Sequence, residues 1–441
     1  MINIDAIKEE AITHLQNLLR INTTNPPGNE MQAVIYLSDV LKKENIEHKI
    51  FETAPGRGCL VARINGNGSQ KPLLLNGHLD VVPCEKEHWQ HDPFSGIIDE
   101  GCVWGRGAID MKNMVASSLM LLLEIKRQKI NLNRDVIFAA VADEEEGCDH
   151  GSRWLVEHKP DLIQAEYALN EGGGFSLFID KNVFYPIGVA EKGLCWFKIV
   201  AHGDPGHGSM PHQNMALVKL AQATSRLGAN QFPIHKHPLV SGFINRIASK
   251  QNFLNKLILK AVLQPSLTRF ILDKIFPDAK KARQFHVLLH NTASPTIMKA
   301  GSKVNVIPSD AEVHVDGRVI PGQTIETFLQ EVRQIIGRDF DFEVSHSWDP
   351  VETDYANPFY DLLCNSIKQN DPQALPLPYL VPGFTDSAYY SRLGIKCYGF
   401  APVKLPKELN FADLFHGHNE RIPIAGYLWG IKVLGDVLVK A

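Results

Sequence analysis

The chain has 441 residues, is 44% hydrophobic and 21% charged, and carries a formal net charge of −4. That length accommodates two domains, and the composition is ordinary for a globular protein. The nearly balanced charge gives no sign of nucleic-acid binding, and no run of about 18 apolar residues indicates a membrane span.

The seven cysteines, Cys59, Cys84, Cys102, Cys148, Cys195, Cys364 and Cys397, are scattered without a CxxC pair. They read as reduced, buried thiols of a cytosolic protein. The opening MINIDAIKEEAITHLQNLL mixes acids into an amphipathic helix and lacks a signal peptide's cationic start and small-residue cleavage site. A cytoplasmic location is therefore the expectation.

Apolar periodicity predicts a helix over 7–19, the breaker NPPGNE, and a second helix over 31–43. Strands follow at 47–51, 59–65 and 72–76, then a helix at 113–126, a strand at 135–142, a helix at 152–157 and a strand at 167–170. Such alternation predicts an α/β domain with a largely parallel sheet and helices on both faces. After 189–193 the texture changes. CWFKIVAHG is a strand leading into GHGSMPH and a helix over 216–227. KVNVIPSDAEVHVDGRV, 303–319, alternates apolar and polar residues as a hairpin with one solvated face does. A helix at 325–336 and a strand at 340–346 complete a smaller α+β domain, and from 358 the first pattern resumes. The expected organisation is a discontinuous domain, 1–191 with 351–441, interrupted by a second at 192–350 that carries a helical insertion near 240–295. Within that insertion, 243–276 is apolar and basic. Amphipathic helices covering one end of the smaller domain are the simpler reading, and a surface for a lipid-like substrate or an anionic membrane is the sharper one.

Ligands in open α/β sheets bind beyond the carboxyl ends of the strands. PLLLNGHLD ends there in His78 and Asp80, VIFAAVADEEEG in Glu144 and Glu145, and YALNEGG in Glu171, while Asp110 follows in VWGRGAIDMKN. One acid at such a place is usually a helix cap or a solvated loop residue. Several acids and a histidine at one edge repel one another unless a cation compensates them. Asp80, two residues from His78, suits a carboxylate that orients a ligating imidazole.

The motifs HLDVVP, GRGAIDMK, ADEEEG, NEGG, GHGSMP, NVIP, DGRVIPG and HGHNE occur in this order over nearly the whole chain. The series resembles the co-catalytic zinc hydrolases comprising aminoacylase, glutamate carboxypeptidase, acetylornithine deacetylase and succinyl-diaminopimelate desuccinylase. The resemblance implies a zinc-exopeptidase-like catalytic domain and an inserted ferredoxin-like lid and dimerisation domain. It implies two zinc ions per subunit, replaceable by Co2+ or Mn2+, bridged by Asp110. One would take His78 and Glu171 and the other Glu145 and His416, each with coordination left open for water or substrate. His418 would be a neighbour of the ligand His416. Glu144 would be the general base for a zinc-bridged hydroxide and pass the proton to the departing amine. Glu146 leaves open a register shifted by one, with Glu145 and Glu146 as the pair.

The resemblance also implies a cis peptide at Asp110–Met111. It makes His207 the donor that stabilises the tetrahedral intermediate, often from a second subunit, so a homodimer through the lid domain is expected. Asn305 and Arg318 would read a free substrate carboxylate, with a surface salt bridge as the ordinary alternative for Arg318. PGFTDSAYY resembles the family's substrate loop but has Gly383 alone where two adjacent glycines are common. The expected function is a zinc-dependent amidohydrolase that cleaves N-acyl amino acids or the C-terminal residue of short peptides, its partner a small molecule with a free carboxylate. Acetylornithine deacetylase, desuccinylase and dipeptidase activities are alternatives. A non-catalytic scaffold is disfavoured, because every ligand candidate is present.

Overall fold

The computed structural model describes residues 2–276 and 279–441, which form two compact units. The first comprises Met1–Val189, Thr353–Tyr379 and Thr385–Ala441, the second Ala190–Glu352 and Leu380–Phe384.

LLLNGH, which opens on three leucines, and the wholly apolar VIFAAV are short for helices, and every residue of both is buried, as in strands covered on two faces. Leu73–His78 pairs in parallel with Val136–Val141 on one side and Tyr167–Asn170 on the other, and Lys396–Gly399 extends the parallel set from Tyr167–Asn170. On the flanks the pairing turns antiparallel: Arg57–Ile64 and His48–Ala54 follow on one side, and Asn182–Glu191 on the other. The sheet is thus mixed, with a parallel centre. Its in-register alignment, Leu73 with Val136 and His78 with Val141, delivers the carboxyl ends of the central strands to one edge.

Helices Ile4–Arg20, Lys112–Arg127 and Ile424–Lys440 pack together, and the middle one is buried from Lys112 to Ile125. The ammonium of Lys112 is fully buried and donates to the carbonyls of Leu18 (3.1 Å) and Ile21 (2.8 Å) at the C-terminus of Ile4–Arg20. That places a cation where the helix dipole is negative. A separate apolar cluster joins Leu74, Ile137, Ala139 and Ala168 to Leu155, Ile163 and Tyr390.

The second unit is a four-stranded antiparallel sheet in the spatial order Thr292–Ala300, Asp310–Val319, Gly193–His202, Asp341–Trp348. Helices Ala216–Ala229 and Ile325–Ile336 pack on it through Leu220, Phe328 and Val332 against Phe197, Ile199 and Val313. This βαββαβ order is ferredoxin-like. The hairpin expected over 303–319 does not form. Val306–Ile307 pairs with Gly206–His207, while Asp310–Val319 lies between Gly193–His202 and Thr292–Ala300. Alternation announces a strand with one solvated face and leaves its neighbour unspecified. Helices Pro238–Ser249, Phe253–Ala261, Pro265–Phe270 and Ala279–Leu289 stand between Ala216–Ala229 and the Thr292 strand, and residues 277–278 of the anticipated insertion lie outside the described residues. Among the described residues no helix is long and apolar enough to cross a membrane. None of the seven cysteines is in a disulfide, and all but Cys84 and Cys364 are buried.

Candidate metal centre

The carboxyl ends of the parallel strands carry the anticipated side chains to one place. His78 Nε2 lies 3.0 Å from Asp110 Oδ1 and 3.7 Å from Glu171 Oε1. His416 Nε2 lies 3.3 Å from Asp110 Oδ2 and 3.1 Å from Glu145 Oε2. Asp110 therefore stands between two imidazoles, each with a glutamate beside it. Two groups have ligand atoms within 4.8 Å of one another: His78 with Glu144 and Glu171, and His78 with Asp110 and Glu145.

The four acids of the ADEEEG turn have four different environments. Asp143 is held at φ +69°, and its carboxylate accepts from Asn25 Nδ2 (3.0 Å), Arg57 Nη2 (2.8 Å) and the His150 amide (3.0 Å). Glu144 is buried beside His78 and Glu171, Glu145 faces His416, and Glu146 is exposed and belongs to neither group. Asp80 sets this turn. Its carboxylate accepts the backbone N–H groups of Glu144 and Glu145, both at 3.1 Å, and Asn25 Nδ2 at 2.9 Å. His78 Nδ1 is closest to the Asp80 carbonyl, at 3.0 Å, with the carboxylate at 3.6 Å. Asp80 thus orients the imidazole mainly through its backbone and the acid turn through its side chain.

Asp110 sits on a loop built around Glu420. That fully buried carboxylate accepts from Arg106 Nη1 (2.8 Å) and from the amides of Gly107 (3.1 Å), Ile109 (2.7 Å) and Asp110 (3.1 Å). The Asp110–Met111 bond is cis. On the other side of the acid turn, Arg57 makes a two-pronged contact with Glu30, both prongs at 2.8 Å.

Burial dominates the electrostatics. It raises the Glu144 pKa well above the usual carboxylate range, with the Glu171 charge adding to it. Burial and then Asp110 push Glu171 up to about 8, and the same pair of causes raises Glu145. For His416 burial works against the charged ring, yet the bonds to Asp110 and Glu145 prevail and push it up to about 10. Burial opposes ionisation of Asp110 as well, but the two imidazoles hold it below its ordinary value. Glu145 Oε1 and Glu171 Oε1 are buried without a hydrogen-bond partner, although each points into this crowd of acids. Imidazole and carboxylate donors with unsatisfied oxygens and uncompensated charge fit a pair of divalent cations of the zinc type.

The other anticipated residues belong to the second unit, and they separate into two places. His207 is exposed with Nδ1 2.8 Å from Ser209 Oγ, and the next residue, Gly208, donates to the carbonyl of Asn305 at 2.9 Å. Arg318 is elsewhere. It pairs with Leu194 at one end of a ladder, whereas the His207 loop lies beyond the other end, where Ala201 meets Ala311. From 311 to 318 the strand covers about 23 Å, so one chain does not set Asn305 and Arg318 side by side. Arg318 donates Nε and Nη2 to the Asp316 carboxylate (2.8 and 3.1 Å) and stacks over Phe384 (5.1 Å), leaving Nη1 buried without a partner. Gly383, next to Phe384, has open space where a Cβ would stand. In the first unit, His418 lies 3.7 Å from Glu85 and 5.1 Å from the His88 ring rather than in the acid cluster.

Residues 74–440 match the profile of Peptidase family M20/M25/M40. The chain belongs to that family. Members and structural neighbours hydrolyse amide and peptide bonds, and this M20 chain is accordingly a hydrolase of that kind. It is 30% identical to a probable carboxypeptidase S-like 2 of Dictyostelium discoideum over 81% of this chain and 69% of that one. It is 29% identical to the human N-fatty-acyl-amino acid synthase/hydrolase PM20D1 (89% and 81% covered) and 26% identical to pig aminoacylase-1 (97% and 94%). Its fold matches the M20 metallo-carboxypeptidase Sso-CP2 of Sulfolobus solfataricus with TM-score 0.75 at 19% identity, covering 98% of each chain. It also matches the Bacillus subtilis YXEP protein, described as a dinuclear metal-binding peptidase, with TM-score 0.61 at 15% identity, covering 99% and 98%.

Asn25, Glu30, Arg57, Arg106 and Glu420 escaped the sequence analysis as site residues. Arg106 and Glu420 stand inside quoted motifs, GRGAIDMK and HGHNE, and a lone buried-type pair of opposite charge so near a candidate ligand was an available signal. Asn25, Glu30 and Arg57 lie at breakers and element ends, where no periodicity marks a residue as buried.

Proposed function

We propose that this M20 protein is a zinc-dependent amidohydrolase that releases a C-terminal amino acid from N-acyl amino acids or short peptides. The observation that carries the proposal is Glu144, a buried carboxyl grouped with His78 and Glu171 and anchored through its backbone N–H to Asp80. His78 and Glu171 would hold one cation, Glu145 and His416 the other, and Asp110 would serve both. When bound, such a pair supplies Lewis acidity, lowering the pKa of a water towards neutrality and polarising the scissile carbonyl. Glu144 takes the proton of the attacking water and returns it to the leaving nitrogen as the C–N bond breaks. The unpartnered Nη1 of Arg318 supports a role in holding the free carboxylate, with Asp316 fixing the plane of the fork.

His207 stabilises the developing oxyanion from a second copy in a homodimer formed through the second unit. The separation of the His207 loop from Arg318 along one strand supports a site shared by two chains. The names of its relatives, an aminoacylase, an N-fatty-acyl-amino acid hydrolase and a carboxypeptidase, support the substrate class.

The test is a matched pair, an N-acyl amino acid and its amide, assayed with zinc on wild type and Arg318→Ala. Wild type should prefer the acid by about tenfold or more for each charge-assisted bond, and the preference should collapse in the variant. Equal rates on both substrates in wild type would exclude a carboxylate-reading site.

A further inference from the structure

The helices between Pro238 and Phe276 leave an apolar face uncovered that the hydrolytic site does not use. On Phe253–Ala261 the exposed side chains include Phe253, Leu254 and Leu257, with Lys256 and Lys260 beside them at helical spacing. Phe253 is 79% exposed and Leu254 65%. Next in the chain, Leu267 and Phe270 are exposed three residues apart, followed by Lys274 and Ile275. The opposite sides, Leu259, Val262, Ile271 and Leu272, are buried, which turns the exposed rows outward. Thr268 Oγ1, donating to the Val262 carbonyl at 2.7 Å, ties the two helices together. Single exposed leucines need no explanation, but a concentration of large apolar side chains on adjoining helices marks a contact surface.

Charge decides what it contacts. Residues 243–276 hold six cations, Arg246, Lys250, Lys256, Lys260, Arg269 and Lys274, against the single acid Asp273, in a chain of net charge −4. Asp273 pairs with Arg269, at 3.6 Å. A second copy docked through the same face would oppose cations to cations, since a two-fold contact sets a patch against itself. An anionic bilayer accommodates both components: phenylalanine and leucine enter the acyl boundary, and lysine stems lie along it with their ammonium groups at the phosphates. We propose that this face docks the protein on anionic lipid bilayers. The inference stands on these helices alone and does not depend on the substrate proposed above.

The full chain is incubated with vesicles of equal parts phosphatidylserine and phosphatidylcholine, or of phosphatidylcholine alone, and sedimented. Wild type should sediment with the first and stay in solution with the second. K256Q/K260Q should lower the partition coefficient by roughly thirtyfold, at about fivefold per cation removed. F253S/F270S should abolish sedimentation even at low salt. Unchanged circular dichroism and melting temperature verify each variant, and since all four positions are exposed, both should fold. Absence of wild-type binding, equal binding to the two vesicle types, or binding untouched by both variants overturns the proposal. So does an F253S/F270S protein whose only change is a loss of subunits in light scattering, which would make the face a contact between copies.

Discussion

Glu420→Gln replaces one oxygen of the carboxylate on which the Asp110 loop is built. Its two oxygens receive two donors each, Arg106 Nη1 and the Gly107 amide on Oε2, the Ile109 and Asp110 amides on Oε1. Whichever oxygen becomes the amide nitrogen, donors face donors, and the buried Arg106 loses its counter-charge. Removing one partner of a buried ion pair costs about 3–5 kcal/mol. A stranded buried amide adds about 1–3 kcal/mol. A total on the order of 5 kcal/mol lowers the melting temperature by about 10 °C in a domain of this size. The same substitution frees the Asp110 backbone, so metal content after zinc loading and dialysis should fall below that of wild type. Differential scanning fluorimetry with elemental analysis measures both. Removing the stranded cation as well, in Arg106→Met with Glu420→Gln, should cost less than the two single variants summed. A Glu420→Gln protein that melts within about 2 °C of wild type and keeps its full metal content would refute the reasoning.

Glu144→Gln should cut turnover by at least about a hundredfold while leaving metal content intact, and Glu145→Gln should lose metal. The reverse pattern in elemental analysis would move the base to the next residue. For the metal-free protein, Glu171 at about 8 stands far above an unfolded glutamate, near 4.3 by comparison with peptides. A group raised on folding contributes stability below its unfolded pKa and loses it as pH rises through the folded one. The raised values of Glu144, Glu145, His78 and His416 carry the same sign, and the lowered Asp110 titrates below this window. Chelator-treated protein should therefore lose melting temperature from about pH 5 to 8, and added zinc should raise it most at the upper end; greatest metal-free stability at the alkaline end would contradict the account. Mixed His207→Ala and Glu144→Gln subunits, each inactive alone, should recover part of the wild-type rate, and no recovery from verified heterodimers would place His207 within its own site.

Much of the fold was legible in the sequence because local patterns carry it. The leucines of LLLNGH and the wholly apolar VIFAAV form short runs of the kind that buried strands need, and Ile325–Ile336 and Tyr167–Asn170 form with the bounds that periodicity assigns them. The acids and histidines stood out for a related reason: charge at the end of an apolar strand is costly, so its presence signals a compensating partner. His78, Asp110, Glu144, Glu145, Glu171 and His416 were named on that ground and on the motif order.

What only the tertiary structure decided were pairings between distant segments. That Arg57–Ile64 runs antiparallel beside Val136–Val141, and that Asp310–Val319 lies between two strands instead of folding back on Val306–Ile307, depends on strand neighbours, which period-two alternation does not encode. That Asp80 fixes the acid turn, that Glu420 holds the Asp110 loop, and that Asn25 and Arg57 meet at Asp143 are facts of hydrogen-bond geometry across 55 to 311 residues of chain. A sequence names which groups must find a partner when buried, because desolvation is a property of the residue. The partner found is a property of the fold.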